Sequence, residues 1–69
     1  MKISARNVLK SEIKKVIHGA VNSEVILQTS GGEEVVAIIT RESAENMELE
    51  TGKEVYAVIK ASSVMIAID

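Results

Sequence analysis

Between Glu24 and Thr40 the chain reads EVILQTSGGEEVVAIIT: two Val/Ile-rich runs of strand length joined across Ser30-Gly31-Gly32. β-Branched side chains suit a pleated, half-buried surface. Glycine accepts the positive φ of a tight hairpin turn. No proline interrupts the chain anywhere, so nothing local forbids a hydrogen-bonded ladder. This stretch predicts an antiparallel hairpin and a mainly β fold. In EVYAVIK the period of two sets Val55, Ala57 and Ile59 on one face and Tyr56, Val58 and Lys60 on the other. SEIKKVIHGAV reads as a strand that bulges or bends sharply where Gly19 breaks it. MKIS reads as a short first strand and SVMIAID as a last one.

One segment departs from this rhythm. In TRESAENMELETGK, Ala44, Met47 and Leu49 recur near helical spacing among good helix formers. Thr40 or Ser43 can cap the start, and Thr51-Gly52 ends the segment in a turn. The expected fold is therefore all-β: a small OB-like β-barrel of five to six strands in a single domain, residues 1–69, with one short helix inside about residues 41–48.

A 69-residue chain buries too little surface to be comfortably stable alone, and such domains usually rely on disulfides, a metal or association. There is no cysteine, and the single His18 cannot build a histidine site within one chain. The sequence is 46% hydrophobic yet holds one Tyr and neither Phe nor Trp, so small aliphatic side chains must supply the core. Association is the remaining route to stability. Edge strands such as MKIS and SVMIAID would also leave backbone groups unpaired unless another chain covered them. The chain is thus expected to be an obligate homo-oligomer. The N-terminus lacks the apolar region of a signal peptide, and no apolar run approaches the ~18 residues of a membrane span. The expected location is the cytoplasm, without a membrane partner. Charge is uneven: residues 1–32 carry five Lys/Arg against two acids, and residues 33–69 carry three against eight. That asymmetry suits head-to-tail contact between copies.

Composition narrows the chemistry. An OB-fold binder of nucleic acid needs a basic groove and aromatic platforms, whereas net charge here is −2 and Tyr56 is the only ring of that kind. Nucleophilic catalysis needs an activated hydroxyl, and His18 has no acid near it in sequence. The expected protein is not an enzyme and has no catalytic cofactor. The segment SGGEE is too short for a phosphate loop and sets acids where a phosphate would lie.

Oxyanion binding is left. A tetrahedral dianion calls for hydroxyls, backbone N–H groups and one or two cations converging from several directions. Ser4 and Arg6 stand two apart near the start; Thr40 and Ser43 lie where the helix begins; Lys60 and Ser62 flank Ala61 near the end. Each has an ordinary structural role as well, as a helix cap or a solvated charge. The rival reading is an oligomeric interaction module without a small-molecule ligand.

The segments SARN, GAVNSEV, AIITRESAENMEL and TGKEVYAVIKASSVMIAID, in this order and spacing, together resemble the molbindins, or molybdenum-pterin-binding proteins. The resemblance covers residues 2–69. It implies a cytoplasmic OB-like protein, assembled as a homohexamer (a trimer of dimers), that binds molybdate or tungstate between subunits. The bound metal would be held as its oxyanion, with no protein ligand on the metal itself. By this resemblance Ser4 and Arg6 would come from one subunit, and Thr40, Ser43, Lys60, Ala61 and Ser62 from a partner. A second oxyanion site near a three-fold axis would use Gly19, Ala20, Val21 and Asn22 through backbone N–H groups. The family pattern does not explain His18. The pterin of the older name would find no aromatic surface here. The implied role is molybdenum storage or homeostasis.

Overall fold

A computed structural model describes residues 1–69. Four strands form one antiparallel sheet: β1 (Asn7–His18), β2 (Asn22–Thr29), β3 (Glu34–Thr40) and β4 (Glu54–Ile59), in the order β3-β2-β1-β4. One helix, α1 (Arg41–Asn46), follows β3, and a single 3-10 turn (Ala61–Ser63) follows β4.

The long β1 gives the sheet its curl. Residues Asn7 to Glu12 pair with β4, and Ser11 to His18 pair with β2. Between the Ile13↔Leu27 and Lys15↔Ile26 pairs one extra residue, Lys14, enters β1 as a bulge. A bulge bends the strand that carries it and raises its twist, so the sheet wraps into half a barrel. The break at Gly19 has a different origin. Gly19 begins the β1–β2 turn, where its N–H donates to the Asn22 carbonyl at 2.7 Å. A Cβ there would lie 2.9 Å from that same oxygen.

The β2–β3 hairpin turns at Ser30-Gly31-Gly32 as the sequence implies, with Gly32 at φ 98°. The concave face holds Ile13, Val25, Leu27 and Ala57, with Val16, Val35, Ala37, Ile39, Leu49 and Val55 packed around them. Only 7 of 69 residues are buried, which leaves this core thin for a chain standing alone.

α1 lies within the expected span. Thr40 caps it: its Oγ1 accepts from the Ser43 N–H at 3.1 Å. Ala44 presses the helix against the sheet at 1% exposure. At the other end Leu49 N–H donates to the Ala44 carbonyl and Glu48 N–H to the Glu45 carbonyl, both at 3.0 Å. This is the paired closure of a Schellman motif, with Glu48 at φ 53° in the position usually given to glycine. Lys53 Nζ then donates to the carbonyls of Met47, at 2.7 Å, and Glu48, at 3.3 Å.

Two expectations need correction. Neither MKIS nor SVMIAID is a strand within the chain, so the sheet has four strands, not five or six. The 3-10 turn redirects the backbone after Lys60, and no strand edge of the same chain receives the residues beyond that turn. Met65, Ile66 and Ile68 are therefore 88–93% exposed. A strand is defined by its partner's backbone, and these residues find none in their own chain.

Candidate functional site

The antiparallel register of β1 and β4 brings the two ends of the chain together. Asn7 stands opposite Ile59 as the outermost pair of the ladder, and Arg6 and Lys60 are the residues that adjoin it on either side. The Asn7 side chain fixes this end by donating to the Ile59 carbonyl at 3.2 Å. Beyond it, Ser63 N–H donates to the Lys60 carbonyl at 2.9 Å and closes the turn that holds Lys60 to Ser62. The result is a hollow of about 460 Å³ lined by Ile3 to Arg6 on one side and Lys60 to Ser62 on the other. Ser4, Arg6, Lys60, Ala61 and Ser62 all meet there, within one chain.

Electrostatics favour an anion in this hollow. The ion pairs of the chain are Lys10–Glu54, Lys14–Glu12 and Arg41–Glu45; Arg6 and Lys60 belong to none of them. No carboxylate lines the hollow, so two cations share it with hydroxyls and without a counter-charge. A larger hollow of about 670 Å³, between Glu48 and Lys53, includes two carboxylates and one ammonium. That lining is wrong for a dianion.

Thr40 and Ser43 lie elsewhere. Thr40 stands opposite Asn22, and Ser23 opposite His18, so both belong to the far end of β1. Thr40 Oγ1, already accepting from the Ser43 N–H, donates to Ser43 Oγ at 2.8 Å. The Ser43 hydroxyl hydrogen is then free to point outward. The twelve residues of β1 separate this group from Arg6. At a rise of ~3.3 Å per residue that is roughly 35–40 Å of strand, and the whole chain is 35 Å in its longest dimension. Donors reach an acceptor at about 2.7–3.2 Å, so one chain cannot bring Arg6 and Ser43 to the same anion. Nor is a second chain needed to bring Arg6 to Lys60.

The Gly19 to Asn22 turn neighbours the Thr40 group. Arg41 N–H donates to the Val21 carbonyl at 2.8 Å, and Arg41 Nη1 donates to the Gly19 carbonyl at 3.3 Å. The Gly19 N–H is consumed inside the turn, whereas those of Ala20 and Val21 have no acceptor in the chain. Two residues matter here that sequence reasoning did not assign. Asn7 holds the β1–β4 end, and Arg41 braces the turn. Both stand inside recognisable motifs, SARN and TRES, but their roles need the register to be seen.

Comparison with known proteins places the chain among relatives. A family model described as "TOBE domain" matches residues 3–66. The chain is 46% identical over 66 residues to molybdenum-pterin-binding protein 3 of Clostridium pasteurianum, covering 96% of this chain and 97% of that one. Among solved structures it is similar to a molybdate-binding protein from Sporomusa ovata, with TM-score 0.92, 34% identity and coverage of 99% and 100%. It is also similar to the cytoplasmic molybdate-binding protein ModG, solved with molybdate bound, with TM-score 0.86 and 51% identity. That match covers 88% of this chain and 43% of the ModG chain.

Proposed function

The chain belongs to the molbindin family of molybdenum-pterin-binding proteins, built on a TOBE domain, and from that premise we propose that it is a cytoplasmic binding protein, not an enzyme, for molybdate and tungstate. The observation that carries this reading is the hollow in which Arg6 and Lys60 stand together without a carboxylate. A tetrahedral dianion supplies what that hollow lacks, and Ser4 and Ser62 add neutral donors to its oxygens.

The complete pocket lies between chains. One copy contributes Ser4, Arg6, Lys60, Ala61 and Ser62; the hydroxyl end of a second copy contributes Thr40 and Ser43. The separation of the two groups along β1 supports this division over one that splits Arg6 from Lys60. Ala61 would take part through its backbone. A second anion site rests on the Gly19 to Asn22 turn, with the free N–H groups of Ala20 and Val21 as donors.

The same assembly completes the fold. The exposed Val64 to Asp69 segment becomes a strand when it pairs with another copy, turning each half-barrel into an OB-like barrel of five to six strands. The exposure of its aliphatic side chains supports this. The assembly is a homohexamer, a trimer of dimers, and its role is storage and homeostasis of molybdenum without turnover.

Selectivity follows from the donor set. A hydrogen-bearing phosphate brings a donor, which a pocket made of donors cannot accept. Isothermal titration tests the reading. Molybdate and tungstate should bind, and sulfate and phosphate should bind far more weakly. Absence of molybdate binding by the assembled protein would leave only an oligomeric interaction module.

A further inference from the structure

The hollow at the β1–β4 end gathers charge of one sign. Arg6 and Lys60 line it together, neither has an acid partner, and no carboxylate lines it with them. Like charges in one hollow repel, and water and salt screen that repulsion only in part. Both residues also stand just outside the ladder, whose outermost pair is Asn7 and Ile59. The ends of a ladder open more readily than its middle. Repulsion and fraying therefore act in the same direction. Before an anion arrives, both draw the two strand ends apart.

One side chain opposes them. Asn7 Nδ2 donates to the Ile59 carbonyl at 3.2 Å, in partly buried surroundings, and ties together residues 52 apart in sequence. No other side-chain hydrogen bond crosses from β1 to β4. The Lys10–Glu54 ion pair does cross, but at 4.0 Å, on exposed side chains and further along the sheet. The bond from Ser63 N–H to the Lys60 carbonyl shapes the turn without reaching β1. Asn7 thus adds a side-chain rung at the pair that adjoins the two cations. Its chemistry matters as much as its place. Aspartate has nearly the same shape, but a carboxylate cannot donate to a carbonyl, and it would set a negative charge beside both cations. An amide secures the strand ends and leaves the positive charge uncompensated for a ligand.

We propose that Asn7 is a positioning residue of the anion site: its amide holds Arg6 and Lys60 to one hollow before the anion is there. The inference rests on the reading that this hollow binds an oxyanion. A bound dianion draws the two cations together by itself, so the Asn7 bond counts most in the empty protein. When a site is formed for only a fraction of the time, its apparent dissociation constant rises by the inverse of that fraction. Loss of one neutral hydrogen bond shifts such an equilibrium by roughly two- to tenfold.

The test is isothermal titration of molybdate into the assembled protein, with the assembly of each variant checked by sedimentation. Asn7→Ala should bind roughly two- to tenfold more weakly. Asn7→Leu, close to asparagine in shape but without a donor, should do the same, and it serves should Ala disturb assembly. Asn7→Asp should bind more weakly than either. A double-mutant cycle separates positioning from general support of the fold, because residues that act on one arrangement couple and independent ones do not. With Lys60→Ala in place there is no second cation to hold, so adding Asn7→Ala should cost less than about twofold. Arg6→Ala serves as the background should Lys60→Ala bind too weakly to titrate. With Ser43→Ala, at the far end of β1, the two losses should multiply. Unmodified affinity in the Asn7 variants, or a loss that removing a cation leaves undiminished, overturns the role of Asn7 and leaves the anion site standing. Unchanged molybdate binding in Lys60→Ala removes the hollow as the anion site, and the role of Asn7 with it.

Discussion

Mixing chains that carry different damage gives the sharpest test of where the two halves of the pocket reside. Lys60→Ala removes a charge-assisted hydrogen bond from the cation half, which costs about 1.5–3 kcal/mol, or roughly ten- to a hundredfold in affinity. Ser43→Asp damages the hydroxyl half by setting a carboxylate against the dianion; an acid in the first turn is tolerated by the helix itself. If each pocket takes Arg6 and Lys60 from one copy and Thr40 and Ser43 from another, exchange of equal amounts of the two variants restores intact pockets. Random pairing gives each half an even chance of being sound, so about a quarter of the pockets regain full affinity. Arg6→Ala mixed with Lys60→Ala should behave differently. Both lesions fall in the same half, no pairing yields an intact pocket, and tight binding stays absent. Equilibrium dialysis with molybdenum analysis, after exchange is verified by mass spectrometry of the native assembly, reads both mixtures. Recovery in the Arg6/Lys60 mixture would refute the geometric argument, because it would place the two cations on different chains. Failure of the Lys60/Ser43 mixture despite exchange would refute the two-chain pocket.

The fold itself carries two further expected outcomes. Glu48→Gly relieves a left-handed backbone that costs an ordinary residue roughly 1–2 kcal/mol and should raise the thermal midpoint by a few degrees, as differential scanning calorimetry would read; an unchanged or lower midpoint would argue against the Schellman closure. Deleting Val64 to Asp69 removes no buried side chain of the single chain but should abolish the assembly, while the full chain's denaturation midpoint should rise with protein concentration. A truncated chain that sediments as the full-length one does would eliminate the tail as the partner strand.

The local features were legible in the sequence because short-range stereochemistry decides them. The Ser30-Gly31-Gly32 hairpin, the Thr40 cap, α1 and the Gly52 turn each depend on a few adjacent residues and their allowed φ values. The alternation in EVYAVIK already sets Val55, Ala57 and Ile59 on one face, and the structure shows that this is the less exposed face of β4. The terminal segments were misread for the converse reason. Their composition suits a strand, but a strand also needs a neighbouring backbone, and sequence pattern says nothing of where that neighbour is. The bulge expected in SEIKKVIHGAV lies at Lys14 and not at Gly19, because its position exists only in the register between two strands. For the site, the resemblance supplied the residue types and positions, and hydroxyl–cation chemistry gave them meaning. Their grouping came from tertiary structure alone. Arg6 and Lys60 are distant in sequence, and only the β1–β4 register joins them in one hollow. The length of β1 holds Thr40 and Ser43 at the opposite end, beyond the reach of any hydrogen bond to the same anion.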